Sequence, residues 1–332
     1  GNHERVEDAS VPYPMGKKLI TETTGYDLIS NIFFAYEPNV AYEEKKFKVE
    51  GVVFTGPEFV DMFSVSVVSG NPASLDDPGN VFLSEKLAEK FFGSEEAVGK
   101  TLTLERKVHL KVSGIIKDPP ATTHLPYKML ISHESLSVDL VGFEYDNWNL
   151  RMSGFSTYVR VGENTPKSQY EDQIMRVVEE HAEQDENDNT RYYLQPLDDI
   201  HLDPSYYSFS GAYTTSKKFI WIFISVGLFI LIIASINFIN LSTVQAIKRT
   251  REIGVRKVLG AGRVKIIRQF FGETILLLLA AEVIALILAE VILPHISNLL
   301  GNHIDLALYG DLSVVIFMIT ILLVFGLIAG IY

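Results

Sequence analysis

The chain of 332 residues carries 29 basic and 41 acidic side chains, a net charge of −12, with 47% apolar residues and a mean hydropathy of +0.17. The acidic balance excludes a nucleic-acid partner, which calls for a basic face. The absence of cysteine excludes disulfide scaffolds, thiolate metal sites and cysteine nucleophiles. Charge also divides the chain: residues 1–218 hold 21 basic and 35 acidic side chains, whereas the remainder is apolar and slightly basic.

Residues 1–15 read as a linker, because Pro12 and Pro14 break regular structure. The chain opens without a methionine or an apolar leader and stops inside an apolar run. A longer protein is therefore expected, with a first membrane span ahead of Gly1 that places this residue outside the cytoplasm. An α+β domain is expected over residues 16–216. The alternation of residues 47–54 (FKVEGVVF) predicts a strand. Thr55-Gly-Pro-Glu58 has the spacing of a capping box and opens a short helix, PEFVDMF. Gly70-Asn-Pro72 marks a turn and residues 80–83 a strand. Ser84 caps a helix, EKLAEKFFG, with Leu87, Ala88, Phe91 and Phe92 on one face. Residues 101–106 and 108–116 alternate as a strand pair that ends at Asp118-Pro-Pro120. Strands follow at 127–131 and 155–161, then a helix opened by a capping Thr165 and Pro166, then a last strand at 191–197.

Residues 219–241 form an apolar run of about 23 residues, roughly 34 Å as a helix, long enough to cross a hydrocarbon core. Lys217, Lys218 and Trp221 stand at one end, where interfacial anchors belong. A second run spans 270–293 and stops at Pro294. A short outer return follows over 295–311, then a third span over 312–332. Residues 217–332 are thus expected to be an all-α transmembrane domain. Asn237 and Asn240, with Ser235, Ser242 and Thr243, predict hydrogen bonds between helices, typically about 0.6 kcal/mol each. The second run holds three acids. Glu273 and Glu290 lie near its ends, whereas Glu282 lies near the middle, where a charge costs about 2.5–3.5 kcal/mol. Glu282 fits a polar contact inside the bundle or at a dimer seam, or equally an acid in a water-accessible groove. Glu273 fits a partner for the basic foot of its own helix. Glu273 and Glu282 fall on opposite faces, which argues against one continuous proton wire.

Residues 242–269 join the first two runs. Lys248, Arg249, Arg251, Arg256, Lys257, Arg263, Lys265 and Arg268 stand there against a single acid, Glu252, a net of +7. Short loops rich in Lys and Arg stay on the cytoplasmic side, which puts the α+β domain on the other. Ile253, Val255, Val258 and Leu259 give a partial apolar stripe and predict a short helix closed by Gly260 and Gly262. Such a helix suits docking to a soluble partner; a plain basic loop obeying the positive-inside rule has the same charge.

The run RTREIGVRKVLGA over 249–261, followed by Gln269, Phe270 and Glu273, resembles the signature of the FtsX/MacB-type ABC transporter permeases. The segments FTGPEFVDMF, VFLSEKLAEKFFG, VGKTL, VSGIIKDPP and LDDIHLDPS, in this order, are similar to the periplasmic domain of MacB-like permeases in versions of the Bacteroidetes type. The resemblance implies an inner-membrane subunit whose loop docks onto a cytoplasmic ABC ATPase. Matched onto this chain, the coupling residues are Arg249, Arg251, Glu252, Ile253, Gly254, Val255, Arg256, Lys257, Leu259, Gly260 and Ala261. The charged ones would meet the ATPase or anionic headgroups, and the glycines would permit close packing. ATP and Mg would enter only through that partner, with no cofactor bound here. A second permease half or a homodimer copy, a periplasmic adaptor and membrane lipids are the further partners implied. The implied function is mechanical: ATPase closure moves the spans, swings the outer domain and drives export of a cargo. FtsX-like relatives instead activate a cell-wall hydrolase through a smaller outer domain. A ligand sensor without an ATPase is the third reading.

Other constellations carry no chemistry. Residues 93–100 (GSEEAVGK) only imitate a phosphate-binding loop out of frame, so ATP hydrolysis falls to another chain. The acidic run 179–188 fails as a calcium loop, because Thr190 and Pro196 stand where glycine and glutamate are required. His109, His124, His133 and His201 lack zinc spacing and read as ordinary surface or domain residues.

Overall fold

The structure, a computed structural model, describes residues 8–120, 123–162, 165–182, 190–203, 215–259, 262–300 and 312–331. It divides into two units, Gly1–Lys217 and Lys218–Tyr332. The first is an α+β domain and the second is helical, the order read from the sequence.

In the first unit, helix α1 (Tyr13–Glu22) leads into the long strand β1 (Tyr26–Ala35). The hairpin β2 (Asn39–Tyr42) and β3 (Lys45–Lys48) precedes β4 (Val52–Thr55), α2 (Glu58–Met62) and β5 (Val67–Gly70). Next come β6 (Asn80–Ser84), α3 (Glu85–Phe92), β7 (Thr101–Leu104) and β8 (Val108–Ile116). Then follow β9 (Met129–Ser132), the short α4 (Val138–Val141), β10 (Phe155–Val161) and α5 (Lys167–His181). Among the described residues ten strands join one mixed sheet in the order β10-β1-β4-β9-β6-β8-β7-β2-β3, with β5 also paired to β8. The pairs β4/β9 and β6/β8 are parallel and the others antiparallel.

Both faces of the sheet centre are covered. Side chains alternate across a strand, so Val52 and Phe54 of β4 join Val81, Leu83, Met129 and Ile131 in the cluster packed by α3. Val53, Phe82 and Leu130 join the opposite cluster with Phe59 and Val60 of α2. A third cluster seats Met15 and Leu19 of α1 and Ile174 and Val177 of α5 around Ile29. Polar atoms buried in β1 are paired. Asn31 donates through Nδ2 to the Tyr13 carbonyl at 2.8 Å and accepts from Thr157 Oγ1 at 2.7 Å. Its main-chain carbonyl accepts from Thr55 Oγ1 at 3.3 Å.

Several local expectations are corrected. Regular structure begins at Tyr13, inside the expected linker, because Pro14 sits in the first turn of α1, where a missing N–H is harmless. The expected strand over 47–54 is two strands broken at Gly51. The capping box does not form: Thr55 is buried at the end of β4 with its hydroxyl turned to Asn31, and α2 starts after Pro57 with no side-chain cap. Thr165 does not cap α5, which Pro166 precedes. Residues 191–197 form no strand. Tyr192 and Leu194 instead pack on the cluster of α1 and α5, and the Leu194 N–H donates to Glu171 Oε1 at 2.9 Å. Ser84 does cap α3, and Leu87, Ala88, Phe91 and Phe92 are buried. Most of the acidic run lies outside the described residues.

The second unit holds α6 (Lys217–Val258), α7 (Arg263–Leu300) and α8 (Leu312–Ile331). Among the described residues two stretches are long and apolar enough to cross a membrane, Lys217–Leu241 and Phe271–Ser297; Leu312–Gly326 is apolar but shorter. Pro294 does not end the second run, because α7 continues through it to Leu300. The first part of the expected outer return is therefore helical, and residues 301–311 lie outside the described residues. Helix α8 packs on α7 where the buried Gly326 approaches Ile275 and Leu278, a small-residue contact of the kind that membrane helices use.

Gly51 yields a prediction. Its φ is +69°, and a Cβ there would stand 2.0 Å from the Pro126 carbonyl oxygen. Gly51→Ala should destabilise the protein by more than about 1 kcal/mol. A thermal melt of the purified protein checks this, and an unchanged midpoint would refute the close approach.

His124 yields a second. It is buried within the domain, one of the two readings, and its Nε2 has no hydrogen-bond partner among the described residues. Its ring packs edge-on against His201 and near Phe63 and Tyr158. Burial, and then His201, push its pKa down to about 4. The unfolded chain therefore binds more protons than the folded one between the ordinary value near 6.5 and about 4. The neutral ring's contribution is complete above that window and is lost as pH falls through it. Melting midpoints should fall more steeply across this window in wild type than in His124→Phe; parallel curves would sink the assignment.

Candidate coupling segment

Helix α6 has 42 residues, about 63 Å at 1.5 Å per residue, twice the roughly 30 Å of a hydrocarbon core. Its apolar part ends at Leu241, so residues 242–258 continue the same helix beyond the span. The basic segment is thus no separate short helix. No proline or side-chain cap interrupts it, and its composition holds it helical up to Val258. Leu259 is in a turn and α7 begins at Arg263, so the break falls among the glycines that the sequence marks as stops.

Polar side chains bridge this break. Arg256 Nη2 donates to Glu252 Oε1 at 2.5 Å, one turn back on α6. Arg256 Nη1 donates to Gln269 Oε1 on α7 at 2.9 Å, and Gln269 Nε2 donates to Glu273 Oε1 at 3.3 Å. The ladder Glu252–Arg256–Gln269–Glu273 therefore ties the end of α6 to the start of α7. Glutamate one turn N-terminal to arginine is the favourable order on a helix, worth about 0.3–0.5 kcal/mol when exposed.

The remaining motif residues sit on the same helix. Arg251, Gly254, Val255, Lys257 and Leu259 are exposed, and Ile253 is half-buried. Arg251 and Lys257 make no ion pair among the described residues. Gly254 lies within the helix, where glycine costs about 1 kcal/mol relative to alanine, yet a Cβ there would meet nothing within 4 Å. The side chain of Arg249, and Gly260 and Ala261 entirely, lie outside the described residues. Glu273 accepts from Gln269 of its own helix. Glu282 is half-buried and Glu290 exposed.

The expected hydrogen bonds between helices from Asn237 and Asn240 do not form among the described residues; both are exposed on α6. Ser235 and Thr243 return their hydroxyl protons to the carbonyls of Leu231 and Ile239 on their own helix. The ladder itself was not foreseen from sequence. Its signal was there: Glu252/Arg256 and Gln269/Glu273 are both spaced one turn apart.

Comparison with known proteins places both units. Residues 7–177 match the MacB-like periplasmic core domain, and residues 224–332 match the FtsX-like permease C-terminal domain. The macrolide export ATP-binding/permease protein MacB of Vibrio parahaemolyticus is 23% identical over 242 residues, covering 72% of this chain and 32% of that protein. The ABC transporter permease YknZ of Bacillus subtilis, uncharacterised, is 22% identical over 236 residues, covering 68% of this chain and 53% of that one. The chain thus spans between about a quarter and about half of the relatives it matches. Among solved structures, a domain of a permease protein from Porphyromonas gingivalis aligns with a TM-score of 0.48 at 22% identity, covering 57% of this chain and 84% of that one. The periplasmic region of MacB from Actinobacillus actinomycetemcomitans aligns at 0.40 and 13% identity, covering 51% of this chain and 73% of that one. The chain belongs to the ABC transporter permease family that joins a MacB-like periplasmic core domain to an FtsX-like permease domain.

Proposed function

We propose that this protein is the membrane subunit of an ABC transporter in which a separate cytoplasmic ATPase docks on the basic end of α6 and works the periplasmic domain mechanically. The observation that carries the reading is the continuity of α6. A cationic segment that extends an apolar span without a break moves when the span moves. Closure of an ATPase held at that segment would displace α6 along its length, and the periplasmic domain precedes α6 directly in the chain. Work on a cargo would then be done outside the inner membrane, with ATP and Mg confined to the partner. A second permease copy or half, and a third crossing by α8, complete this arrangement. Export of a cargo is the reading that the relatives named for macrolide export support, and nothing in this chain selects the cargo. Residues 217–332 would cross the inner membrane with the segment 242–269 in the cytoplasm.

The test is copurification of the full-length protein from native membranes beside the variant Arg251→Glu/Lys257→Glu. A P-loop ATPase identified by mass spectrometry should accompany wild type and be depleted about tenfold or more in the variant, a loss of roughly 1.4 kcal/mol of binding. Wild type that carries no ATPase under conditions preserving other membrane complexes would overturn the reading in favour of a sensor. An ATPase present together with an activated cell-wall hydrolase, and no exported compound, would favour the regulatory reading.

A further inference from the structure

We infer that residues 196–203 form a strap latched by a histidine pair: His201 closes over the buried His124, and proton uptake by this pair lifts the strap and loosens its hold on Lys217, the first residue of α6. The latch lies within the first unit and needs no ATPase. Only its consequence for a mechanical linkage rests on the proposed function.

The strap joins no strand ladder. Its turns are closed by the Asp199 N–H to the Pro196 carbonyl at 3.1 Å and the Leu202 N–H to the Asp199 carbonyl at 3.0 Å. It holds the end of the first unit at two points. The Thr215 N–H donates to the His201 carbonyl at 2.8 Å, and Lys217 Nζ donates to Asp199 Oδ1 at 2.9 Å. On the domain side, the His201 ring meets the His124 ring edge-on, with centroids 5.8 Å apart. The other ring contacts of His124 are Phe63, just after α2, and Tyr158 of β10. The strap thus supplies one wall of the His124 site. Lifting it brings water to the imidazole without breaking a strand pair.

The closed strap is poised to open. Two buried polar atoms lack a hydrogen bond among the described residues here, His124 Nε2 beneath the strap and Gln195 Nε2 just ahead of it. A buried polar atom left unpaired disfavours the closed state, and opening a turn is the cheapest way to hydrate it. Burial, and then His201, hold the His124 pKa down to about 4. Among the other titratable groups around the pair, burial keeps the Tyr158 phenol neutral. Asp199 is paired with Lys217, and Asp198 and Asp203 also act on Lys217. With the strap lifted, His124 regains its ordinary value near 6.5 and takes up a proton that the closed form refuses. Opening is therefore favoured as pH falls, on the order of thirtyfold at about pH 5. A charge on His201 acts in the same direction, because two cations would then face each other. Acid outside the cytoplasm would slacken the hold on the start of α6.

The experiment is hydrogen–deuterium exchange of the full-length protein in lipid nanodiscs at about pH 7.5 and about pH 5, with each rate corrected for intrinsic exchange. The reporters are the amides of Leu202 and Thr215, which both donate to strap carbonyls. Their protection should fall on the order of thirtyfold between the two conditions, while amides of β1 and β10 keep theirs. His124→Phe retains a ring and removes the proton site, so strap protection should stay level. His201→Ala changes a turn and leaves the sheet alone. It should lose strap protection already at the higher pH, and it decides the matter by itself if His124→Phe does not fold. Strap amides that exchange in step with β1 and β10 would mean that His124 is uncovered only when the domain unfolds, and would overturn the latch. A strap without protection at the higher pH, an undiminished pH response in His124→Phe, or full protection in His201→Ala would overturn it as well. None of these readouts involves the ATPase, so the latch can fail with the proposed function intact, and the reverse.

Discussion

The hydrocarbon core of a bilayer offers a peptide group no hydrogen-bond partner, and a chain that crosses it must close its main-chain bonds within itself. Helix α6 does so from Lys217 to Val258 and does not stop where the apolar residues stop. That persistence governs how the second unit can work. A helix with a loop after its span would let the basic segment move independently of the membrane part. A helix that continues for about 25 Å past Leu241 is a stiff extension of the span. In the proposed mechanism, displacement at its cationic end would become displacement of the span.

The α+β unit meets a different constraint. Its sheet is covered on both faces at the centre, so β4 and β9 are buried at every position. A sheet of this kind tolerates buried polar groups only when they are paired. The Asn31 amide and carbonyl take up Tyr13, Thr157 and Thr55, and in doing so fasten α1, β10 and β4 to β1. Gly16 of α1 makes room for this, because a Cβ there would lie 2.6 Å from the Asn31 side chain. The first helix is thereby locked to the strand beside it by one polar side chain and one missing one.

Where pattern and packing coincide, the sequence was readable. Strand β6 followed by the capped α3 was legible because alternation, a serine cap and an amphipathic face all agree there. The apolar runs and the basic segment were legible because length and charge alone define them. Strand β1 was not, although it pairs with both β4 and β10. Its Ile29, Ile32, Phe33 and Phe34 are buried on two faces, and its Ser30 and Asn31 have the look of a surface turn. Residues 191–197 have the aromatic composition of a strand, but they pack on the α1 and α5 cluster and find no ladder to join. In the candidate site, charge density was visible at once and its partition was not. Assigning Arg256 inward and Lys257 outward requires a helix of known register and a partner on α7, and neither is encoded in the count of cations.

The ladder also determines how the end of α6 meets the start of α7. Gly260 and Gly262 follow Val258 in the sequence, between the two helices. Arg256 spans that break, joining Glu252 on one helix to Gln269 and through it to Glu273 on the other. Glu273 lies within the apolar stretch of α7, two residues past its start at Phe271, and Ile275 and Leu278 one turn further on meet Gly326 of α8. The end of α6 is thus connected to α7 by a charge-assisted bridge, and α7 to α8 by a helix contact at a glycine. Each exposed hydrogen bond in the bridge is weak alone, about 1 kcal/mol or less. Their value lies in placement, because they join the described end of α6 to the described start of α7 across the break between the two helices.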